Sequence, residues 1–237
     1  MGRRACLGFA VALAALAGCG WLPDAGRGEV SRGEPSSAEV PDPSSDEASP
    51  LDERSRRVPA EGELECPDVE LVWHRGDEVA YRGGGVRITP SFRDELEALE
   101  RIAAEVGERV LGRPPESIRH LGTYNCRRVR GRPHRLSEHA FGNGIDVAGF
   151  RFGPAPREAR DELPRSLWWR TTVSVREDWT VEDEAKDEAR VLRRRFLHEL
   201  TDELAARGVF RAMLGPAHPR HENHFHFDHG PWSYRIL

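Results

Sequence analysis

The run Ser137-Glu-His-Ala-Phe-Gly-Asn-Gly-Ile-Asp146 decides how this chain is read. A second run, His221-Glu-Asn-His-Phe-His-Phe-Asp228, answers it near the C-terminal end. The first carries His139 and Asp146, the second His224 and His226. Two imidazoles and a carboxylate can hold a zinc ion and leave one position for water, the layout of a catalytic zinc site. A closed structural site would draw on cysteine, and the chain has only four.

Spacing says how these groups are presented. His224 and His226 are two apart, so a strand puts both imidazoles on one face and sends Phe225 and Phe227 into the core. His139 and Asp146 are seven apart, which a straight strand would place on opposite faces. Gly142 and Gly144 allow the backbone to turn between them and bring the carboxylate back beside the imidazole. Five of the ten histidines fall within His218–His229. Such clusters bind metal adventitiously, but that alone leaves the distant His139/Asp146 pair unexplained.

Composition sets the frame. The chain has 237 residues, 38% hydrophobic and 32% charged, with a formal net charge of -5. One globular domain with tails fits these values. The mild acidity, with arginines interleaved among acids, argues against a nucleic-acid partner. Arg3 and Arg4 precede a short apolar run, Cys6–Ala17, that is too short for a transmembrane helix. It ends Leu16-Ala-Gly-Cys19, which resembles a bacterial lipobox, so Cys19 is the expected lipidation site and 1–19 the signal segment. The mature protein is then expected in the cell envelope, anchored through lipid alone to a bacterial membrane, the outer one, and facing the periplasm. Residues 20–62, rich in Gly, Pro, Ser and acids, read as a disordered tether. The folded domain is expected over 63–237, as a monomer.

Cys66 and Cys126 are the thiols left in that domain. In an oxidising compartment they are expected to pair, closing a loop of about 60 residues for roughly 4 kcal/mol in the chain-entropy treatment. Val69–Trp73 and Val79–Tyr81 read as short strands. Ser91 reads as the N-cap of a helix carrying Leu96, Leu99, Ile102, Ala103, Val106 and Val110 at helical spacing, ended by Gly112 and Pro114-Pro115. Ile118–Tyr124 and Asp146–Phe150 read as strands, Arg151–Thr180 with its tryptophans as irregular, and Asn223–Phe227 as the last strand. Glu182–Arg207 reads as a second long helix, closed by Gly208. His198 lies in it and is expected to be structural. The expected fold is α+β: a small, mainly antiparallel sheet carrying the metal ligands, flanked by two long helices.

The pattern Ser137-x-His139-x-x-Gly142-x-Gly144-x-Asp146 followed by His224-x-His226 resembles the superfamily of zinc D-Ala-D-Ala carboxypeptidases and murein endopeptidases, which includes lysostaphin-type and hedgehog-type folds. More closely, Leu121-Gly-Thr-Tyr-Asn-Cys-Arg127, Leu136-Ser-Glu-His-Ala140 and His221–Asp228 resemble the bacterial extensin-like C-terminal domain family. Gly144 stands where relatives usually have Ala.

The resemblance implies zinc bound by His139, Asp146 and His226. It implies that His224 lines the site without binding the metal and orients the attacking water or stabilises the oxyanion. His221 would face substrate or support the site. The carboxypeptidase branch has Glu three residues before the last ligand, where this chain has Asn223. Glu222 is a rival base, because strand alternation would put it on the face of His224 and His226. Arg127 matches the position expected to contact a substrate carboxylate or carbonyl, with Arg128 as the alternative. Ser137 belongs to the same substrate-facing segment and more naturally fixes the turn than reacts. The function implied is a zinc metallopeptidase, of D,D-carboxypeptidase or endopeptidase type, hydrolysing peptidoglycan stem peptides. A zinc-containing lipoprotein that binds peptidoglycan without cleaving it is the alternative.

Overall fold

The computed structural model describes residues 56–180 and 187–237. Cys19 and the tether up to residue 55 lie outside the described residues. Strands are β1 (Val72–His74), β2 (Ala80–Tyr81), β3 (Val86–Ile88), β4 (Pro115–Gly122), β5 (Arg128–Val129), β6 (Arg132–Leu136), β7 (Gly144–Phe152), β8 (Thr171–Ser174), β9 (Ala212–Leu214), β10 (Phe225–Asp228) and β11 (Tyr234–Ile236). Helices are α1 (Arg93–Leu111), α2 (Val175–Asp178) and α3 (Glu188–Ala206). The main sheet runs β11-β9-β10-β7-β4-β2, with β8 also beside β7. The β11–β9 and β2–β4 pairs are parallel and the rest of this sheet is antiparallel. The architecture is therefore mixed α+β, with small two-stranded sheets β1–β3 and β5–β6 at its side.

β7 is the central strand, and its two halves have different partners. Residues 144–147 pair with β10 and residues 149–152 with β8, while β4 runs along its other edge. Ile145 and Val147 point into the core, as do Phe150 and Phe152. Odd positions thus give way to even ones within a single strand. The register explains it: His120 pairs with Val147 and Arg119 with Gly149, so Ala148 is an extra residue on β7. A bulge of this kind resets the alternation. Gly149 takes a φ of 150°, and a Cβ there would run into the Val173 carbonyl oxygen. Only glycine lets β8 approach this closely.

Both long helices cover the same face of the sheet. The predicted apolar stripe of α1, from Leu96 to Val110, is buried, and Gly112 closes the helix at a φ of 64°. On α3, Phe196, Leu197, Leu200 and Leu204 are fully buried. Phe196 sets its ring edgewise against Phe150 and Phe152, both at 5.1 Å. Arg109 reaches across to Glu199 at 2.9 Å and Arg207 to Glu105 at 2.7 Å, tying the helices together. Among the described residues no helix is long and apolar enough to cross a membrane.

Several boundaries differ from the sequence reading. Ser91 is not the N-cap: a 3-10 turn, Pro90–Phe92, precedes α1, Phe92 holds the cap position, and Ser91 Oγ donates to Thr89 Oγ1. Proline at the start of the turn favours this tighter entry. α3 starts at Glu188, with Asp187 accepting from the N–H groups of Ala189 and Arg190. The stretch 151–180 is more regular than expected, since it ends β7 and contains β8 and α2. Its tryptophans are partly structural. Trp168 donates to the carbonyls of Arg160 and Leu163, while Trp179 stacks on His198 at 3.9 Å and meets Phe225 edgewise. β10 is not the last strand, because β11 follows it. Cys66 and Cys126 are bonded as expected, with their Cα atoms 5.8 Å apart. Contacts with the domain begin before Glu63: Arg56 is buried, and Val58 N–H donates to the His134 carbonyl.

Candidate metal centre

On the sheet face away from the helices, His226 of β10 sits directly opposite Asp146 of β7. Alternation does the positioning, because Phe225 and Phe227 are fully buried on the other face. His139 arrives from outside the sheet, on the 3-10 turn Glu138–Phe141. Ser137 caps this turn by accepting from His139 N–H, and Gly142 ends it at a φ of 62°. A Cβ on Gly142 would approach Leu71 Cδ2 to 2.6 Å, so the return into β7 depends on glycine. Gly144 has no such need. A Cβ there would make ordinary contacts with Asp228 and His226 at 3.4 Å, so the turn is made at Gly142 alone.

His139 Nε2, His226 Nδ1 and Asp146 Oδ1 form a triangle with edges of 3.1, 3.1 and 2.9 Å. The outward ring nitrogens decide what this triangle contains. His139 Nδ1 lies 2.7 Å from the Thr123 carbonyl, which can only accept, so the proton is on Nδ1. His226 Nε2 lies 2.8 Å from Asp228 Oδ2, a carboxylate whose other oxygen accepts from Gly230 N–H. That proton also points outward. With both imidazoles neutral, three lone pairs converge. One proton can serve one edge of the triangle, whereas a divalent cation serves all three corners. Tetrahedral ligands at about 2.0–2.1 Å from a cation stand about 3.3 Å apart, close to what these side chains hold. Imidazoles anchored through their second nitrogen to a carbonyl or carboxylate are the usual outer support of a metal ligand.

The electrostatics agree. Burial pushes the Asp146 carboxyl up, but the two imidazoles overcome it and hold the group well below the usual carboxylate range. Burial pushes His226 down, and Asp146 and Asp228 overcome it, leaving the imidazole raised to about 10. The pocket favours positive charge at its centre.

His224 and His221 stand at the edge of this cluster. His224 precedes β10, yet its Nε2 lies 3.6 Å from Asp146 Oδ1 and its Nδ1 2.9 Å from Asn223 Oδ1. Burial lowers its pKa, Asp146 opposes that, and the nearby Arg127 adds to the lowering. His221 packs against the His224 ring at 4.9 Å and is pushed down to about 4, chiefly by burial. Its Nδ1 is 3.0 Å from that of His218. Arg127 is half-buried beside His224, and its carbonyl accepts from Ser137 N–H. Glu222 is not brought to the cluster by strand alternation, because β10 starts only at Phe225. It is exposed, and its Oε1 accepts from Arg220 N–H. Arg128 is engaged elsewhere, donating to the carbonyls of Pro59 and Gly62. His198 is remote from the cluster, its Nε2 bonded to the Trp179 carbonyl.

Three supports are absent from the sequence reading. Asp228 and the Thr123 carbonyl fix the two tautomers. The third is the Arg56–Glu138 pair: Arg56 Nε and Nη2 meet the Glu138 oxygens at 3.1 and 3.0 Å, fully buried under the turn that carries His139. Asn143 Nδ2 donates to the same carboxylate. Asp228 ends the second motif and was available as a signal. The other two join positions far apart in sequence.

A two-layer α+β domain with a buried His/Asp/His cluster on its open sheet face defines the class. Residues 61–159 match the family model of the extensin-like protein C-terminus. That span contains Cys66, Cys126, Arg127, Ser137, His139 and Asp146, and ends before His221–Asp228. No curated protein and no solved structure matches the chain.

Proposed function

We propose that the protein is a zinc metallopeptidase acting on peptidoglycan stem peptides in the bacterial cell envelope, of D,D-carboxypeptidase or endopeptidase type. In this reading the domain has the fold of the D-Ala-D-Ala carboxypeptidase and hedgehog group, and Cys19 anchors it to the membrane through lipid. The observation that carries it is the triangle of His139 Nε2, Asp146 Oδ1 and His226 Nδ1, with the second nitrogen of each imidazole anchored outward on the Thr123 carbonyl or the Asp228 carboxylate. Bound zinc would supply a Lewis acid that polarises the scissile carbonyl and lowers the pKa of water towards about 7.

The chain's own residues do the rest. His224, held at Nδ1 by Asn223, keeps Nε2 facing the open side of the cluster, where it can take a proton from water or donate to an oxyanion. The Arg127 guanidinium has no hydrogen bond or ion pair among the described residues, so its fork is available to a substrate carboxylate. Ser137 stays in a structural part, its Oγ taken by His139 N–H.

The test is digestion of purified peptidoglycan by the zinc-loaded protein, with products identified by mass. Release of D-Ala or of cleaved cross-links is the expected result. Intact peptidoglycan, with stoichiometric zinc bound and peptidoglycan retained, would replace the peptidase by a binding protein.

A further inference from the structure

We infer that the β5–β6 hairpin and Arg220 form a wall that reads the side carboxylates of an anionic peptide substrate, beyond the carboxylate met by Arg127. The inference rests on the peptidase reading above and names the kind of peptide that site prefers. Thr123–Ser137 contains Arg127, Arg128, Arg130, Arg132 and Arg135 and no acid, in a chain with 40 acidic residues. Gly208–His221 is a second acid-free stretch and carries Arg220. The fold brings them together: Arg220 Nη1 lies 3.6 Å from where a Cβ on Gly131 would stand, at the hairpin tip. Arg220 is also the one described non-glycine residue with a left-handed backbone, at a φ of 73°.

Some surface arginines are paired with acids, as Arg109, Arg195 and Arg207 are, while others, such as Arg93, Arg119 and Arg157, have no hydrogen bond or ion pair from the guanidinium among the described residues. Here the guanidinium groups of Arg127, Arg130, Arg132 and Arg220 have no hydrogen bond or ion pair among the described residues. Acids beside the cluster are engaged, while Glu61, Glu63 and Glu65, on the segment that anchors the hairpin, are exposed. Glu138 is buried against Arg56, Asp228 against His226, and Glu222 is turned onto the Arg220 backbone. The hairpin is also held firmly. The Cys66–Cys126 bond, the Arg57–Arg135 bridge, Arg128 on Pro59 and Gly62, and Arg135 stacked 3.4 Å over Trp232 all anchor it. The anchors use Arg128 and Arg135 and leave Arg130 and Arg132 exposed. β6 leads directly into Ser137 and His139, so this positive surface borders the cluster. Unpaired guanidinium forks on a fixed backbone match planar carboxylates.

The experiment uses the full chain, zinc-loaded, and two stem pentapeptides. One has its side carboxylates free and the other has them amidated, and both keep the C-terminal carboxylate. Binding is measured by calorimetry beside cleavage. Each exposed guanidinium–carboxylate contact is worth up to about five-fold in affinity. The free-acid peptide should therefore bind about ten-fold tighter, with the preference shrinking at high salt. Arg130→Gln/Arg132→Gln should bring the two peptides within about two-fold while the amidated one keeps its affinity. Arg130→Lys/Arg132→Lys, which keeps the charge, should retain most of the preference. Equal binding of both peptides by the unmodified protein, or a preference surviving the Gln pair, overturns this inference alone. Binding of neither peptide overturns the substrate reading and this inference with it. So does Arg130- and Arg132-dependent retention on anionic vesicles without peptide binding, which would assign the wall to a lipid surface.

Discussion

Asp228→Asn tests the tautomer argument at its most exposed point. Asp228 is buried, with Oδ1 accepting from Gly230 N–H at 2.9 Å and Oδ2 accepting from His226 Nε2–H at 2.8 Å. Asparagine fills the same space with one acceptor and one donor. The Gly230 N–H cannot turn away, so the amide oxygen is expected to stay on it and the NH2 to face His226 Nε2. That reverses the imidazole: Nε2 becomes the acceptor and Nδ1 carries a proton towards Asp146. Without zinc each of these groups keeps a hydrogen-bond partner, so the variant should still fold and unfold in a single transition in urea with chelator. Zinc binding must expel the Nδ1 proton and set two N–H groups against each other across the 2.8 Å contact. Leaving such a buried donor unmet costs about 1–3 kcal/mol, or about 10–100-fold in zinc affinity, the range found when an outer partner of a ligand histidine is lost. Competition against a chromophoric chelator at pH 7 measures it. A zinc affinity within about two-fold of the unmodified protein, with the fold intact, would refute the assignment of His226 Nδ1 as a ligand atom.

Other substitutions separate the remaining roles. His226→Ala should lose zinc and activity together, whereas His224→Ala should keep zinc and lose about 10²–10⁴ in rate, with Glu222→Gln staying active; metal content and turnover measured side by side decide among them. Phe196→Ala should cost about 3–5 kcal/mol in urea unfolding, because its ring is fully buried against Phe150 and Phe152 and a smaller residue leaves a cavity between α3 and the sheet. In Glu95 burial raises the carboxyl pKa, against its own backbone N–H and the His229 imidazole. A folded value above the unfolded one stabilises most below the unfolded value, about 4.3, and that stability is lost as pH rises through the folded value. The protein should thus lose stability relative to Glu95→Gln as pH rises above the unfolded value of about 4.3, read from paired urea midpoints.

What could be read from the sequence follows the range of the interaction that fixes it. The buried stripes of α1 and α3 repeat every turn, and Gly112 and Gly208 mark where they stop, so both helices were legible from local pattern. Their starts were not. Ser91 has the chemistry of a cap, but Pro90 commits the backbone to a 3-10 turn first, and the cap position falls one residue later, on Phe92. The His226 and Phe225/Phe227 alternation was legible because β10 is short and straight.

β7 was legible only at its middle, for a definite reason. Its inward residues are Ile145, Val147, Phe150 and Phe152, which no single period of two contains. The extra residue Ala148 rephases the strand, and the cause lies in partners 30 residues upstream on β4 and 25 downstream on β8, roughly the scale of separation at which local pattern carries no information. The bulge has a consequence for the cluster. Before it, Asp146 faces outward opposite His226; after it, Phe150 and Phe152 turn inward to meet Phe196. One strand thereby presents a ligand on one face and anchors α3 on the other. Without the rephasing, keeping Asp146 outward would have turned Phe150 and Phe152 to the open face, so the site and the core are compatible only through Ala148 and Gly149.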